Sequence, residues 1–266
     1  MGIAVHLLQP PDPALLEVLR TCLIPAVQLS LGPDKPDPAE YHILVAGRPR
    51  REDLTASAKL HTLIIPWSGL PEETRELVQA FPQLAVHNLH HNAAPVAELA
   101  VALLLAAAKF VVPLDRALRH HDWTPRYEPS RAMLLQGKTA LILGYGAIGR
   151  RAGRLCRTLG MDVLAMRRNV SEADGDVAHE IHPPQALPQL LPRAHALIVC
   201  LPLTPQTEGL LGRRELNLLP PEAVLVNVGR GKIVDQAAAQ GVVERGLVHD
   251  FAPADVDQHR FWRQQV

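Results

Sequence analysis

Gly144, Gly146 and Gly149 stand in the spacing G-x-G-x-x-G, directly after a short apolar run (residues 141–143) and directly before a helical pattern over residues 147–159. That context gives the spacing its meaning. Gly144 permits a tight turn out of a strand, Gly146 lets backbone approach a pyrophosphate, and Gly149 lets the helix lie against the strand. The helix start offers unpaired N–H groups and a positive dipole end to the phosphates. Gly144, Tyr145, Gly146, Ala147, Ile148 and Gly149 are therefore the expected dinucleotide contacts. The end of the following strand decides between two cofactors, because an acid there takes ribose hydroxyls whereas an Arg accommodates a 2′-phosphate. Here that strand ends Met166-Arg167-Arg168-Asn169, with no carboxylate, so NADP(H) is expected over NAD(H).

Two further stretches place polar or glycine-rich chemistry at the end of an apolar run: Leu201-Pro-Leu-Thr-Pro-Gln-Thr207 and Asn227-Val-Gly-Arg-Gly231. Ligands of doubly wound sheets sit outside the carboxyl ends of the strands. Arg230 is the charged member of this set. Its guanidinium is a planar fork that stays charged and can pair two oxygens of one carboxylate.

The elements that must position these residues follow from periodicity and turn chemistry. Strands are expected over residues 3–8, 42–46, 60–65 and 84–87. Helices are expected over 13–22, with Leu15, Leu16, Val18 and Leu19 inward, and over 72–80. Strands alternating with helices imply a parallel sheet. Residues 94–112 are apolar nearly all round, broken only by Glu98 and Lys109. Both sides of that helix are expected to be covered, as at a seam between domains. Residues 116–123 continue it in amphipathic form. A second series has strands over 141–143, 162–166, 196–201 and 223–228, then a helix over 235–245.

Composition narrows the function classes. The 266 residues carry 27 basic and 27 acidic side chains, a balance that argues against nucleic acid or an anionic membrane as the main partner. Aromatic residues are only 4% of a chain that is 47% hydrophobic, so Leu, Val, Ala and Ile must build the core. Cys22, Cys156 and Cys200 are widely spaced and read as free thiols in a reducing compartment. The start of the chain lacks a basic n-region and a cleavage site, and Gly2 is followed by His6 where myristoylation needs Ser or Thr. The longest apolar run, residues 99–108, is too short to span a bilayer. A soluble, cytoplasmic protein is expected. His87, His90 and His91 have no Cys or acid close by and do not share one helix face, so no metal site is expected.

The three strand-end segments, in this order, resemble the D-isomer-specific 2-hydroxyacid dehydrogenases. Val96-Ala-Glu98 and Leu118-Arg-x-x-x-Trp123 belong to the same likeness, which covers roughly residues 40–240. The resemblance implies an α/β chain with a Rossmann-type doubly wound parallel sheet plus a flavodoxin-like substrate domain. Residues 1–93 would be the substrate domain, 94–125 an inter-domain helix and hinge, 126–245 the Rossmann domain and 246–266 an irregular tail. Arg230 would hold the substrate carboxylate and polarise its carbonyl. Backbone N–H groups of Ser68 and Gly69 would face the same carboxylate, and Leu201, Pro202, Thr204, Thr207, Val228 and Gly229 would line the cofactor. The implied reaction is hydride transfer between a nicotinamide and a small 2-hydroxy or 2-oxo acid. The implied assembly is a homodimer.

The likeness also breaks. Hydride transfer to a keto acid needs a proton donor, normally a His oriented by a carboxylate. The family's Glu follows a Leu-Asp-Val-Phe-type strand and its His sits in a later Pro-His dipeptide; neither motif is present. His249 and His259 are the only late histidines, with Asp250 and Asp255 as nearby acids, and His195 stands where the family usually carries an acid. The expected pattern fades near residue 238, as a frameshift would produce, and the chain stops at Val266. The family's C-terminal segment is therefore read as missing, with an exposed sheet edge and marginal solubility as the expected consequence. Two function classes remain open: a 2-hydroxyacid oxidoreductase, and a non-catalytic dinucleotide-binding remnant or sensor. A methyltransferase shares the glycine turn but has no use for Arg230.

Overall fold

The computed structural model describes residues 2–130, 132–169 and 178–243. Its contacts divide into two compact units, Met1–Asn92 and Ala93–Val266.

The first unit runs β1 (Ile3–Leu7), α1 (Pro13–Cys22), β2 (Val27–Leu31), β3 (Ile43–Val45), α2 (Arg51–Thr55), β4 (Thr62–Ile65), α3 (Glu72–Val78) and β5 (Ala85–Asn88). All its strand pairs are parallel, in the order β2-β1-β3-β4-β5. That is the flavodoxin-like order. Its core is small, built on Tyr41, Leu44, Leu54, Leu63 and Ile65.

Three features of this unit depart from expectation. β2 and α2 were not expected. β2 is an edge strand with no buried residue, so its sequence lacks a core signal and its pairing comes from β1. Leu15 and Val18 were expected inward, yet each is 58% exposed and α1 buries no residue. Local chemistry forms that helix instead. Asp12 Oδ1 accepts from the amides of Ala14 and Leu15, both at 3.0 Å, and Pro13 fixes φ at the first helical position.

The second unit contains α4 (Ala93–Ala108), α5 (Val111–Arg119), β6 (Thr139–Leu143), α6 (Ala147–Thr158), β7 (Asp162–Met166), β8 (Glu180–His182), α7 (Leu187–Leu190), β9 (Ala196–Val199), α8 (Arg213–Leu216), β10 (Val224–Asn227) and α9 (Gln236–Val243). Its parallel sheet has the order β10-β9-β6-β7-β8, the Rossmann arrangement with its switch point between β6 and β9. The apolar runs follow from cover on both faces. In β6, Ala140 and Ile142 enter one core while Leu141 and Leu143 enter the other. β7 and β9 alternate in the same way: Val163, Ala165 and Ile198 on one side, Leu164, Met166 and Leu197 on the other. Each such Leu or Ile contributes about 1.5–3 kcal/mol by leaving water.

The helix expected at a seam is α4, and it packs inside the second unit. Ala100, Val101, Leu104, Ala107 and Ala108 join the core that also holds Ala140 and Cys156. The expectation of cover on both sides is corrected, since Leu99 is 44% exposed and Ala94, Glu98 and Ala102 are exposed. Nor does α4 run on into α5. Phe110 takes a left-handed φ of 54°, and α5 leaves at 63° to α4. Pro113 lies in the first turn of α5, where its missing N–H is tolerated but where it could not continue α4. No single helix among the described residues is long and apolar enough to cross a membrane.

α9 runs through residue 238, where the pattern was expected to fade. Asp235 Oδ1 accepts from the Ala238 amide at 3.1 Å, and Ala238 and Ala239 are buried against the core that includes Leu211 and Ile233. His249, Asp250, Asp255 and His259 lie outside the described residues.

Two histidines, His6 buried and His195 half-buried, are expected to give stability a pH dependence. His6, fully buried in β1, stacks on Tyr41 at 5.3 Å and places Nδ1 2.9 Å from Ser30 Oγ. Burial lowers its pKa most, with Lys35 adding to this while the Gly32 carbonyl and Asp53 oppose it. His195 accepts the Thr139 amide at Nδ1, 3.2 Å away, joining the starts of β9 and β6. Its pKa is also lowered, chiefly by burial and then by Lys138, against the Arg193 carbonyl and Glu222. Both folded-state values therefore lie below the ordinary 6.5. As pH falls below 6.5 the unfolded chain binds protons first, so stability that is full above that pH is lost toward the folded-state values. Tm should drop between about pH 7.5 and 5.5, and the drop should shrink in His195→Asn, whose amide oxygen can accept from Thr139 at either pH. An unchanged pH slope in that variant would contradict the assignment.

Candidate functional site

The glycine turn leaves β6 at the switch point. Gly144 has φ +95°, and a Cβ there would lie 2.9 Å from the backbone carbon and oxygen of Cys200. The exits of β6 and β9 are thus in backbone contact, which only glycine allows. Gly149, in the first turn of α6, faces Gly144 O so closely that a Cβ would come within 2.2 Å of it. Gly146 differs. It caps α6 in extended conformation, is exposed, and has nothing within 4 Å of where a Cβ would be. Two glycines close the backbone on itself and the middle one leaves space over the helix start, where N–H groups point outward. This cradle fits a pyrophosphate. Ala147 is exposed and Ile148 half-buried at that start. Tyr145 departs from a simple contact role. Its ring is 2% exposed in the core beside Gly153, with the Arg150 guanidinium 5.9 Å from its centroid.

The neighbouring strand exits carry the other expected residues. On one side, Arg167 and Arg168 follow β7, and Arg167 N donates to His182 O at 3.0 Å. Arg168 is exposed, and the described residues that follow β7 at this exit, Arg167 to Asn169, include no carboxylate. On the other side Leu201 and Pro202 follow β9. Thr207 Oγ1 lies 2.7 Å from Pro202 O and accepts the Thr204 amide at 2.8 Å. The Thr207 hydroxyl is therefore engaged in holding the loop, while Thr204 is half-buried with its hydroxyl 3.1 Å from that of Thr207.

Beyond β9, β10 leads into Val228, Gly229 and Arg230. Asn227, 1% exposed at the end of β10, organises this turn. Its Oδ1 accepts from Gly229 N at 3.0 Å and its Nδ2 donates to Arg230 O at 3.0 Å. A Cβ on Gly229 would lie 2.6 Å from Leu201 O, so this loop presses directly on the β9 exit. Arg230 itself is exposed, with Nη1 donating to Gly229 O at 2.9 Å. Asn227 was not singled out as a functional residue in the sequence. Its signal was an Asn closing a buried strand two residues before a glycine. Four consecutive exits, after β10, β9, β6 and β7, thus carry Arg230, the Pro202–Thr207 loop, the glycine turn and Arg167-Arg168. Three strand spacings separate the ends of that row, about 14 Å at ~4.8 Å each.

The thiols nearby are held in the protonated form. Burial pushes Cys156 up to about 12, and burial with Cys156 as neighbour pushes Cys200 up to about 12.

In the first unit, Ser68 and Gly69 follow β4. Asn88 Nδ2 donates to Ser68 O at 2.8 Å and Asn92 Nδ2 to Ser68 Oγ at 3.2 Å. Trp67, next to them, lies so close to Gly47 that a Cβ there would be 2.1 Å from its ring. These contacts fix the loop. Among the described residues no group of three or more His, Cys, Asp or Glu is arranged to hold a metal ion.

Comparison with known proteins places this geometry. Residues 101–260 match the model of the D-isomer specific 2-hydroxyacid dehydrogenase NAD binding domain. The match continues past residue 238. A glyoxylate reductase from Thermococcus gammatolerans is 32% identical over 158 residues, 57% of this chain and 46% of that protein. D-3-phosphoglycerate dehydrogenase from Mycobacterium tuberculosis is 32% identical over 198 residues, 74% of this chain and 37% of that protein. The matched stretch thus spans half or less of these curated relatives. Among solved structures, a D-isomer specific 2-hydroxyacid dehydrogenase from Xanthobacter autotrophicus Py2, in complex with NADPH and MES, superposes with a TM-score of 0.78 at 22% identity. It covers 96% of this chain and 83% of that one.

Proposed function

Because this chain belongs to the D-isomer-specific 2-hydroxyacid dehydrogenase family, we propose that it binds NADP(H) in preference to NAD(H) and interconverts a small 2-hydroxy acid with its 2-oxo acid. The observation that carries this reading is the row of strand exits, with a glycine cradle in the middle, two arginines at one end and Arg230 at the other. The bound nicotinamide would supply or accept the hydride. The chain's own residues bind and orient. Gly144, Gly146 and Gly149 shape the pyrophosphate cradle, with backbone of Tyr145, Ala147 and Ile148 around it. Leu201, Pro202, Thr204, Thr207, Val228 and Gly229 wall the nicotinamide side. Arg230 holds the substrate carboxylate and polarises the carbonyl. Glyoxylate and hydroxypyruvate are the substrates to try first.

The cofactor choice rests on charge. A 2′-phosphate carries close to two negative charges, which guanidiniums pair and a carboxylate would repel. The Michaelis constant for NADPH should be lower than that for NADH by about tenfold or more, and Arg168→Asp should reverse the order. A clear NADH preference in the wild type would overturn the choice.

The same proposal includes a cytoplasmic location, consistent with three free thiols. It also includes a homodimer, for which exposed Val111, Leu114 and Leu118 on α5 offer an apolar face. A monomeric mass by light scattering would remove the homodimer.

A further inference from the structure

β8 ends in a chain of charged side chains that the proposed function leaves unused. Met166 and His182 are register partners, so the end of β8 stands level with the exit that carries Arg167 and Arg168, one strand spacing of ~4.8 Å away. Glu180 and His182 are two residues apart and share one face of the strand. His182 Nε2 lies 2.8 Å from Glu180 Oε2. Arg193, which closes the helical turn after α7, grips the same carboxylate with two bonds, 2.6 and 3.1 Å long. Arg193's hydrogen bonds, and after them His182's, hold the Glu180 carboxyl down to about 2. Glu180 is thus ionised at neutral pH and already neutralised by Arg193. His182 has its Nε2 committed, and its side chain is 29% exposed.

Exposed ion pairs of this kind add little to stability, so holding β8 in place does not by itself account for a third member. A phosphate monoester presents three acceptor oxygens, more than one guanidinium fork satisfies. We propose that His182, as the imidazolium, is a further member of the 2′-phosphate subsite, its Nδ1–H donating to the phosphate beside Arg167 and Arg168 while its Nε2–H donates to Glu180 and fixes the ring. Glu180 and Arg193 are positioning residues. The inference rests on the NADP(H) reading and adds a specificity-determining side chain to it.

Calorimetric binding of adenosine 2′,5′-bisphosphate and of 5′-AMP to the full chain tests this without turnover. The wild type should prefer the bisphosphate. His182→Ala should weaken the bisphosphate about tenfold and leave 5′-AMP unchanged, and His182→Lys should keep most of the preference. Equal weakening of both ligands in a folded His182→Ala, or no change in either, overturns the proposal. If Arg168→Ala abolishes discrimination while His182→Ala retains it, only the role of His182 falls. If the wild type does not discriminate, the NADP(H) reading falls and His182 with it. Should His182→Ala fail to fold, His182→Lys decides, since a lysine that abolishes the preference without touching 5′-AMP binding argues against a simple cation and overturns the assignment.

Discussion

Gly149→Ala should lose both stability and dinucleotide binding, whereas Gly146→Ala should lose binding alone. At Gly149 the new methyl would stand 2.2 Å from Gly144 O, and backbone cannot swing aside as a side chain can. Either α6 slides away from β6 or the turn opens. Overpacking of this kind costs about 1–3 kcal/mol, which for a chain of this size lowers Tm by roughly 3–10 °C. Both ways of relieving the clash also displace the helix start from the phosphate position. At Gly146 the extended backbone accepts any residue, and nothing lies within 4 Å of the added carbon. Its Tm should stay within about 1–2 °C of the wild type. A methyl placed in the cradle would nevertheless keep pyrophosphate from the backbone, weakening NADPH by about tenfold or more in a fluorescence titration. If Gly146→Ala binds NADPH as the wild type does, the cradle is not the phosphate site and the cofactor assignment has no foundation. Thermal melts of the two variants side by side separate the structural role from the binding role.

Arg230→Ala should cut kcat/KM for glyoxylate or hydroxypyruvate by about 10²–10³-fold and leave NADPH affinity within twofold. Truncating one partner of a hydrogen-bonded charge pair costs about 2–5 kcal/mol, and the carboxylate would lose both prongs of the fork. Arg230→Lys should recover little, because an ammonium cannot pair two oxygens in one plane. Arg230 is exposed, and among the described residues its side chain bonds to its neighbour's carbonyl, with Nη1 2.9 Å from Gly229 O, so neither variant should alter Tm. Asn227 supplies the contrast within the same loop. Its side chain fixes the backbone of Gly229 and Arg230 from a buried position, so Asn227→Ala would remove activity and stability together. An Arg230→Ala enzyme with undiminished turnover would remove the residue from the site. Wild-type protein that binds NADPH but turns over neither acid would favour the non-catalytic reading over the oxidoreductase.

Much of this was readable before any coordinates. The glycine turn, α6 and β7 lie where spacing and periodicity put them, since each carries its own local signal: the G-x-G-x-x-G spacing, a helical pattern, or a run that is buried from its second residue on. Two of the four edge strands, β2 and β8, were hidden, while β5 and β10 were expected. β2 and β8 are short strands without a buried residue, and their pairing partners lie more than a dozen residues away in sequence, so no local pattern announces them. The inward face assigned to α1 failed for the opposite reason. Amphipathic spacing reports what a helix is able to bury, and Leu15 and Val18 at 58% exposure show that it does not bury them within this chain.

By itself the sequence determined the chemistry available: a glycine turn, two arginines with no acid beside them, a forked cation in an Asn-Val-Gly-Arg-Gly loop. Tertiary structure alone decided which of these share an edge. Residues 144, 168, 201 and 230 come together because right-handed parallel crossovers return every strand in one direction, so that all carboxyl ends open on the same side of the sheet. The same pairing set His182 beside Arg167, an outcome that depends on strand register and that no spacing along the chain encodes.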